Sequence, residues 1–224
     1  MYFRKVFLKW LFKWAGKRAF VGRYVDRQEP HKGRFTASDL NRILDGMLHH
    51  LETLLPKANI GRFETVGSRM NVMLGVASLA MSKALLDEGI ERDYAIELFT
   101  GVAWKVYEKF VVVPRLLARL TSRDPQERMN FMLRAFLRFP FNRPGYQWKV
   151  KTQGAGLQGQ GFQIDFYRCP VRDYFHEMGE EDFLLRSWCT LDFALAQAMV
   201  KGGHYERPHT LSAGDALCDM TWSA

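Results

Sequence analysis

Cysteine is scarce, with three in 224 residues. An odd, low count excludes the disulfide framework of a small secreted domain and fits a reducing compartment where thiols stay free. No secretory start is expected either: lysines interrupt the first apolar stretch, and no clear small-residue cleavage site follows. No run of about 18 uncharged apolar residues occurs, so no membrane-spanning helix is expected. Internal repeats, low-complexity tracts and Cys-x-x-Cys pairs are absent, and structural zinc usually needs such close pairs. The expectations are a cytoplasmic protein, no resident metal and no cofactor.

What is present is enough for a sizeable core. Hydrophobic residues make up 47% and aromatics 14%, in a length that suits one domain of ordinary size. The net charge of +8 is not spread evenly. Residues 1–34 hold ten Lys or Arg against Asp26 and Glu29, which equals the whole excess, and the remainder is neutral. The chain therefore reads as a basic amphipathic N-terminal arm (1–34) and a single α+β domain (35–224). That domain has a helical part over 35–140 and a sheet part over 145–224.

"MYFRKVFLKWLFKWAGKRAF" has a helical period, with Phe3, Val6, Phe7, Trp10, Leu11 and Trp14 on one face and Lys5, Lys9 and Lys13 on another. Such a helix either packs its aromatic face on the domain or lies in a membrane interface, so residues 2–20 are the candidate for peripheral membrane contact. No nucleic-acid-binding motif is present, and one basic stripe is a weak footprint for such a partner.

Helical signals follow. "TASDLNRILDGMLHHLETLLP" has Thr36 or Ser38 as cap and an apolar period up to Pro56. "GSRMNVMLGVASLAMSKALLDEG" is apolar nearly all round, the pattern of a buried helix or a subunit contact, which leaves a homo-oligomer open. Pro114 predicts a break or kink in the next helical stretch, and Asp124-Pro125 a fresh start. After residue 144 the period changes to two. "YQWKVKT" and "GFQIDFYRC" predict a hairpin across a long Gly/Gln loop, "QGAGLQGQ". Then come a short helix from Pro170 to Gly179, one longer helix up to Gly202-Gly203, and a second hairpin turning at Ala213-Gly214-Asp215. The order β-β-α-α-β-β after a helical layer predicts an α+β fold, with an antiparallel sheet of about four strands packed on helices.

All three cysteines fall in this last part. Cys169 stands where a strand gives way to a helix, a position where the helix dipole depresses a thiol pKa. Cys189 and Asp192 are three apart on one predicted helix, so they are expected to share a face. Cys218 is inside the last strand with Met220 and Trp222 on its face, while Asp219 points the other way. Free cysteine is also a common packing residue.

The segment "FYRCPVRDYFHEMGEEDFLLRSWCTLDFALAQAMVKGGHYERPHTLSAGDALCDMTWSA" resembles the C-terminal signature of the L-2-amino-thiazoline-4-carboxylic acid hydrolase family: a Cys after a strand, Cys-x-x-Asp, then Gly-Asp-x-x-Cys-Asp and an aromatic. The resemblance implies hydrolytic opening of a small cyclic amidine or amide at a C–N bond, with a small molecule as substrate. It implies Cys189 or Cys218 as thiol nucleophile, with Cys169, Asp192 and Asp219 as further catalytic candidates, and a depressed thiol pKa at one of the three cysteines; His209, outside the signature, is a candidate base. His204 and His176 are weaker candidates for the base. Arg168 and Arg207 are candidates for holding a substrate carboxylate. Two other classes fit the same residues: a noncatalytic ligand-binding or membrane-associated module that reuses the fold, and a thiol redox sensor.

Overall fold

The computed structural model describes residues 2–153 and 161–224. Apart from Gln153, the expected Gly/Gln loop lies outside the described residues. The protein is α+β, with helices first and an antiparallel sheet at the C-terminal end. Its chain divides into two compact units, residues 1–59 with 73–107, and residues 60–72 with 108–224.

The first unit is helical, with α1 (Tyr2–Ala19), α2 (Ala37–Ala58), most of α3 (Val66–Asp87) and most of α4 (Arg92–Phe110). The Thr36 hydroxyl accepts from the Asp39 amide while the Asp39 carboxylate accepts from the Thr36 amide, a capping box that starts α2. Leu40, Ile43, Leu44, Met47 and Leu51 then keep one face of α2 fully buried. Pro56 does not stop this helix as expected; it lies in the last turn, and Asn59 at φ 41° makes the stop in the left-handed region. In α1 the face that packs is not the aromatic one. Leu8, Phe12, Ala15 and Ala19 are buried, whereas Val6, Phe7 and Trp10 are exposed. The small residues decide this, because a side chain at Gly16 would come within 2.7 Å of Leu40. Among the described residues α3 is the one helix long and apolar enough to cross a membrane, yet 61% of that stretch is buried, as in a core helix.

The second unit carries α5 (Val112–Thr121), α6 (Pro125–Arg138), the sheet, and three helices between its halves. Pro114 falls in the first turn of α5, where a missing amide removes no helical bond. Asp124 caps α6 by accepting from the Glu127 amide at 2.8 Å, as its sequence signal predicts.

Strands β1 (Gln147–Gln153), β2 (Phe162–Arg168), β3 (His204–Glu206) and β4 (Cys218–Ser223) form one sheet in the order β1-β2-β4-β3, antiparallel throughout. The last strand is thus central. Cys218 stands opposite Phe166, and Asp219 opposite Asp165.

Between β2 and β3 the expected long second helix is two helices. These are α8 (Glu181–Arg186) and α9 (Leu191–Met199), after α7 (Pro170–Glu177). Hydroxyl groups make the break. Ser187 Oγ donates to the Phe183 carbonyl at 2.5 Å, and Thr190 Oγ1 to the Ser187 carbonyl at 2.7 Å. Such side chains compete with amides for helical carbonyls. The Cys189 amide reaches back to Leu184, one residue further than an α-helix would take it.

Candidate functional site

Three separate pieces of backbone bring the thiols into mutual electrostatic reach. Cys169 is the N-cap of α7, Cys189 lies in the turn before α9, and Cys218 begins β4. Cys189 and Asp192 are therefore not on one helix: Asp192 is in the first turn of α9 and Cys189 precedes it. Cys169 and Cys189 are half-buried and Cys218 is buried; all three are free thiols.

The connection from β3 to β4 bridges two of them. The Leu211 amide donates to Cys218 Sγ at 3.2 Å, and Thr210 Oγ1 lies 3.4 Å from the same sulfur. Ser212 Oγ is 3.5 Å from Cys189 Sγ. Two aspartates of the Gly-Asp-x-x-Cys-Asp stretch buckle this connection. Asp215 accepts from the Thr210 amide at 2.7 Å, and Asp219 accepts from the His209 amide at 2.7 Å and its imidazole Nδ1 at 2.8 Å. Gly214, at φ 97°, takes the left-handed turn just before Asp215, which glycine adopts without steric cost.

A charged pair lies beside the sulfurs. Arg207 Nη1 is 3.6 Å from Asp192 Oδ2, with only 6% and 17% of the two side chains exposed. The Tyr205 hydroxyl donates to the same Asp192 oxygen at 3.4 Å. Tyr205 is buried and stacks against Trp222 and Phe193. Tyr146, which interacts electrostatically with Cys169, accepts from Asn71 Nδ2 at 2.7 Å.

Burial sets the protonation of this cluster. It pushes the Cys189 thiol up to about 11; Arg207 and Ser212 pull the other way, and Asp192 and Cys218 add to the rise. Burial pushes Cys169 up further still, and the amides of Arg172 and Val171 oppose it without offsetting it. The depressed thiol expected at this helix start is thus overturned, because removing a thiolate from water outweighs the dipole of so short a helix. For Arg207, burial works against the cation, but Tyr205, Cys189, Asp192 and Cys218 together hold its pKa above the ordinary value.

The remaining sequence candidates lie elsewhere. Asp219 leaves β4 on the face opposite Cys218, and its partner His209 is exposed. Arg168 is engaged by Glu64 at 2.6 Å and Asp173 at 3.3 Å. His176 pairs with Glu181, and His204 with Glu206 at 3.1 Å. Among the described residues no group of three or more His, Cys, Asp or Glu is placed to hold a metal. Sequence reasoning missed Tyr205 and Ser212. The alternation of His204-Tyr205-Glu206 was the available signal for the first, since it turns Tyr205 inward between two exposed neighbours.

Together the site is a largely buried cluster of three free thiols in an α+β domain, with one carboxylate and one guanidinium held as a pair beside it. Residues 113–222, which carry every one of these thiols and charges, match the family model of L-2-amino-thiazoline-4-carboxylic acid hydrolase, and this segment is similar to that hydrolase family. No curated protein and no solved structure matches the chain.

Proposed function

We propose that this protein hydrolyses a C–N bond of a small cyclic amidine bearing a carboxylate, such as 2-amino-thiazoline-4-carboxylate, with Cys189 as nucleophile. The observation that carries this reading is the Asp192–Arg207 pair beside Cys189, shielded from water at 3.6 Å. An amidinium and a carboxylate on one small ring present the opposite charges at comparable spacing. Such a substrate exchanges one ion pair for two charge-assisted contacts.

The resting thiol is protonated at neutral pH, since its pKa is pushed up to about 11. The substrate supplies the missing activation. Its cationic amidinium stabilises a nearby thiolate as Arg207 does, and Asp192 takes the thiol proton. Cys189 Sγ then bonds to the amidine carbon. The ring C–N bond breaks as the ring nitrogen receives the proton held by Asp192. Water attacks the carbon held on sulfur, the carbon–sulfur bond to Cys189 breaks, and the thiol regains a proton. One water is added across one C–N bond, and nothing is oxidised or reduced. Of the other cysteines, Cys218 is the more enclosed; it accepts a hydrogen bond from the Leu211 amide and lies within hydrogen-bond distance of the Thr210 hydroxyl, a role in holding the connection in place. The rise in thiol pKa argues against a redox sensor, which needs accessible thiolate.

The test is hydrolysis of 2-amino-thiazoline-4-carboxylate by the wild-type chain and by Cys189→Ser, Cys218→Ser and Cys169→Ser, with 2-aminothiazoline as the analogue lacking the carboxylate. Turnover lost at Cys189→Ser, and a preference for the carboxylate-bearing ring, support the reading. Full turnover by Cys189→Ser would refute it.

A further inference from the structure

The second unit has a concavity away from the thiols, formed by α5, α6 and the C-terminal end of α9, with a volume of about 410 Å³. Arg115, Arg119, Arg128 and Lys201 line it, with Met132 and Val200 among the apolar residues between them, and no carboxylate does. Arg115 Nη1 donates to the Ala198 carbonyl at 3.1 Å, which explains one cation as a cap for α9. Among the described residues the other three have no such role, and the Nε atoms of both Arg115 and Arg128 are buried without a hydrogen-bond partner. Unpartnered buried donors are uncommon in folded proteins, and two in one cationic cleft point to a missing acceptor.

We propose that this cleft binds a phosphate-bearing ligand. Guanidinium forks match phosphate oxygens in geometry as well as charge. The apolar floor takes the uncharged body of the ligand, and the volume is that of a small-molecule site. Two sources share this chemistry, a soluble phosphomonoester and a phospholipid headgroup. The second is kept in view because α5 also exposes Val113, Leu116, Leu117 and Leu120 as an apolar stripe.

Titration calorimetry of the full chain with glycerol 3-phosphate tests the soluble source. Co-sedimentation with phosphatidylglycerol vesicles, against phosphatidylcholine vesicles, tests the lipid one. The expected result is saturable binding to one of these probes. Arg128→Gln weakens it about tenfold or more, as loss of a charge-assisted hydrogen bond does. Arg119→Gln and Lys201→Gln are at exposed positions; each weakens it severalfold and decides the matter should Arg128→Gln unfold. Arg123→Gln, exposed and outside the cleft, leaves it unchanged. Failure of the folded protein to bind either probe overturns the proposal. So does equal binding by wild type, Arg119→Gln and Lys201→Gln.

Discussion

Cys218 and Asp219 are neighbours in sequence, and their surroundings are opposites. On the inner side of β4 the thiols sit among Tyr205, Trp222 and Phe166, and burial drives Cys189 and Cys169 toward the neutral form. On the other side the groups are ionic. Asp165, 3% exposed, is met by Lys151 at 2.8 Å and by the Tyr167 hydroxyl at 3.1 Å, and Asp219 pairs with His209. One strand thus separates a side where buried thiols lie beside a single ion pair from an ionic side where charge holds the chain in place. Proximity in sequence does not make Cys218 and Asp219 a catalytic couple. They act together through the connection 207–217, which Asp219 grips from outside and Cys218 from inside.

The comparison breaks most visibly at Cys189. Cys189→Ser is expected to lower kcat on the order of 10³-fold or more, with a thermal transition close to wild type, because a serine hydroxyl fits the space without the sulfur's reactivity. Next comes Arg207→Gln. Removing the guanidinium from the thiol side raises KM for a carboxylate-bearing ring by about 10- to 100-fold, the size of one charge-assisted hydrogen bond, and leaves KM for 2-aminothiazoline nearly unmoved. Ser187→Ala tests the turn that sets Cys189 ahead of α9. It removes a fully buried hydroxyl bond and lowers unfolding free energy by about 1 kcal/mol in urea denaturation.

The smallest effect belongs to the ionic side, and pH is its signature. Hydrogen bonding to Asp219 raises the pKa of His209. Its stabilisation is therefore complete below the unfolded value of about 6.5 and is lost as pH rises through the higher folded value. Burial alone would raise the Asp219 carboxyl, but the hydrogen bonds from the His209 ring and amide leave it below its ordinary value. That contribution is present above about pH 4 and is lost as pH falls through the folded value. The gap in Tm between wild type and His209→Ala should be open at pH 5–6 and closed in alkali. A gap constant with pH would show that the pair does nothing for stability.

Much of the architecture was legible because it rests on local signals. Asp124-Pro125 announces α6, and the change of period after residue 144 announces the sheet. Strict alternation placed Cys218 and Asp219 on opposite faces. The division of residues 180–202 into two helices was not legible, since Ser187 and Thr190 are ordinary helix residues until their hydroxyls capture carbonyls, a choice worth about 1 kcal/mol. Nor was the state of the thiols. Cys169 at a helix start reads as an acidic thiol, and only packing from distant segments reverses that. The Asp192–Arg207 pair joins a helix to the residue following β3, so no spacing rule could have found it.

The central claim is that Cys189 is a protonated thiol activated only when a cationic ring binds. The direct measurement is iodoacetamide labelling of the free protein from pH 6 to 11.5, with each cysteine followed by mass spectrometry. The account predicts that Cys189 labelling climbs toward a midpoint near its pKa of about 11, and that Cys169 remains the more resistant. Selective labelling of Cys189 well below the ordinary thiol value of about 8.5 would contradict it, and would mean a thiolate already formed before substrate arrives.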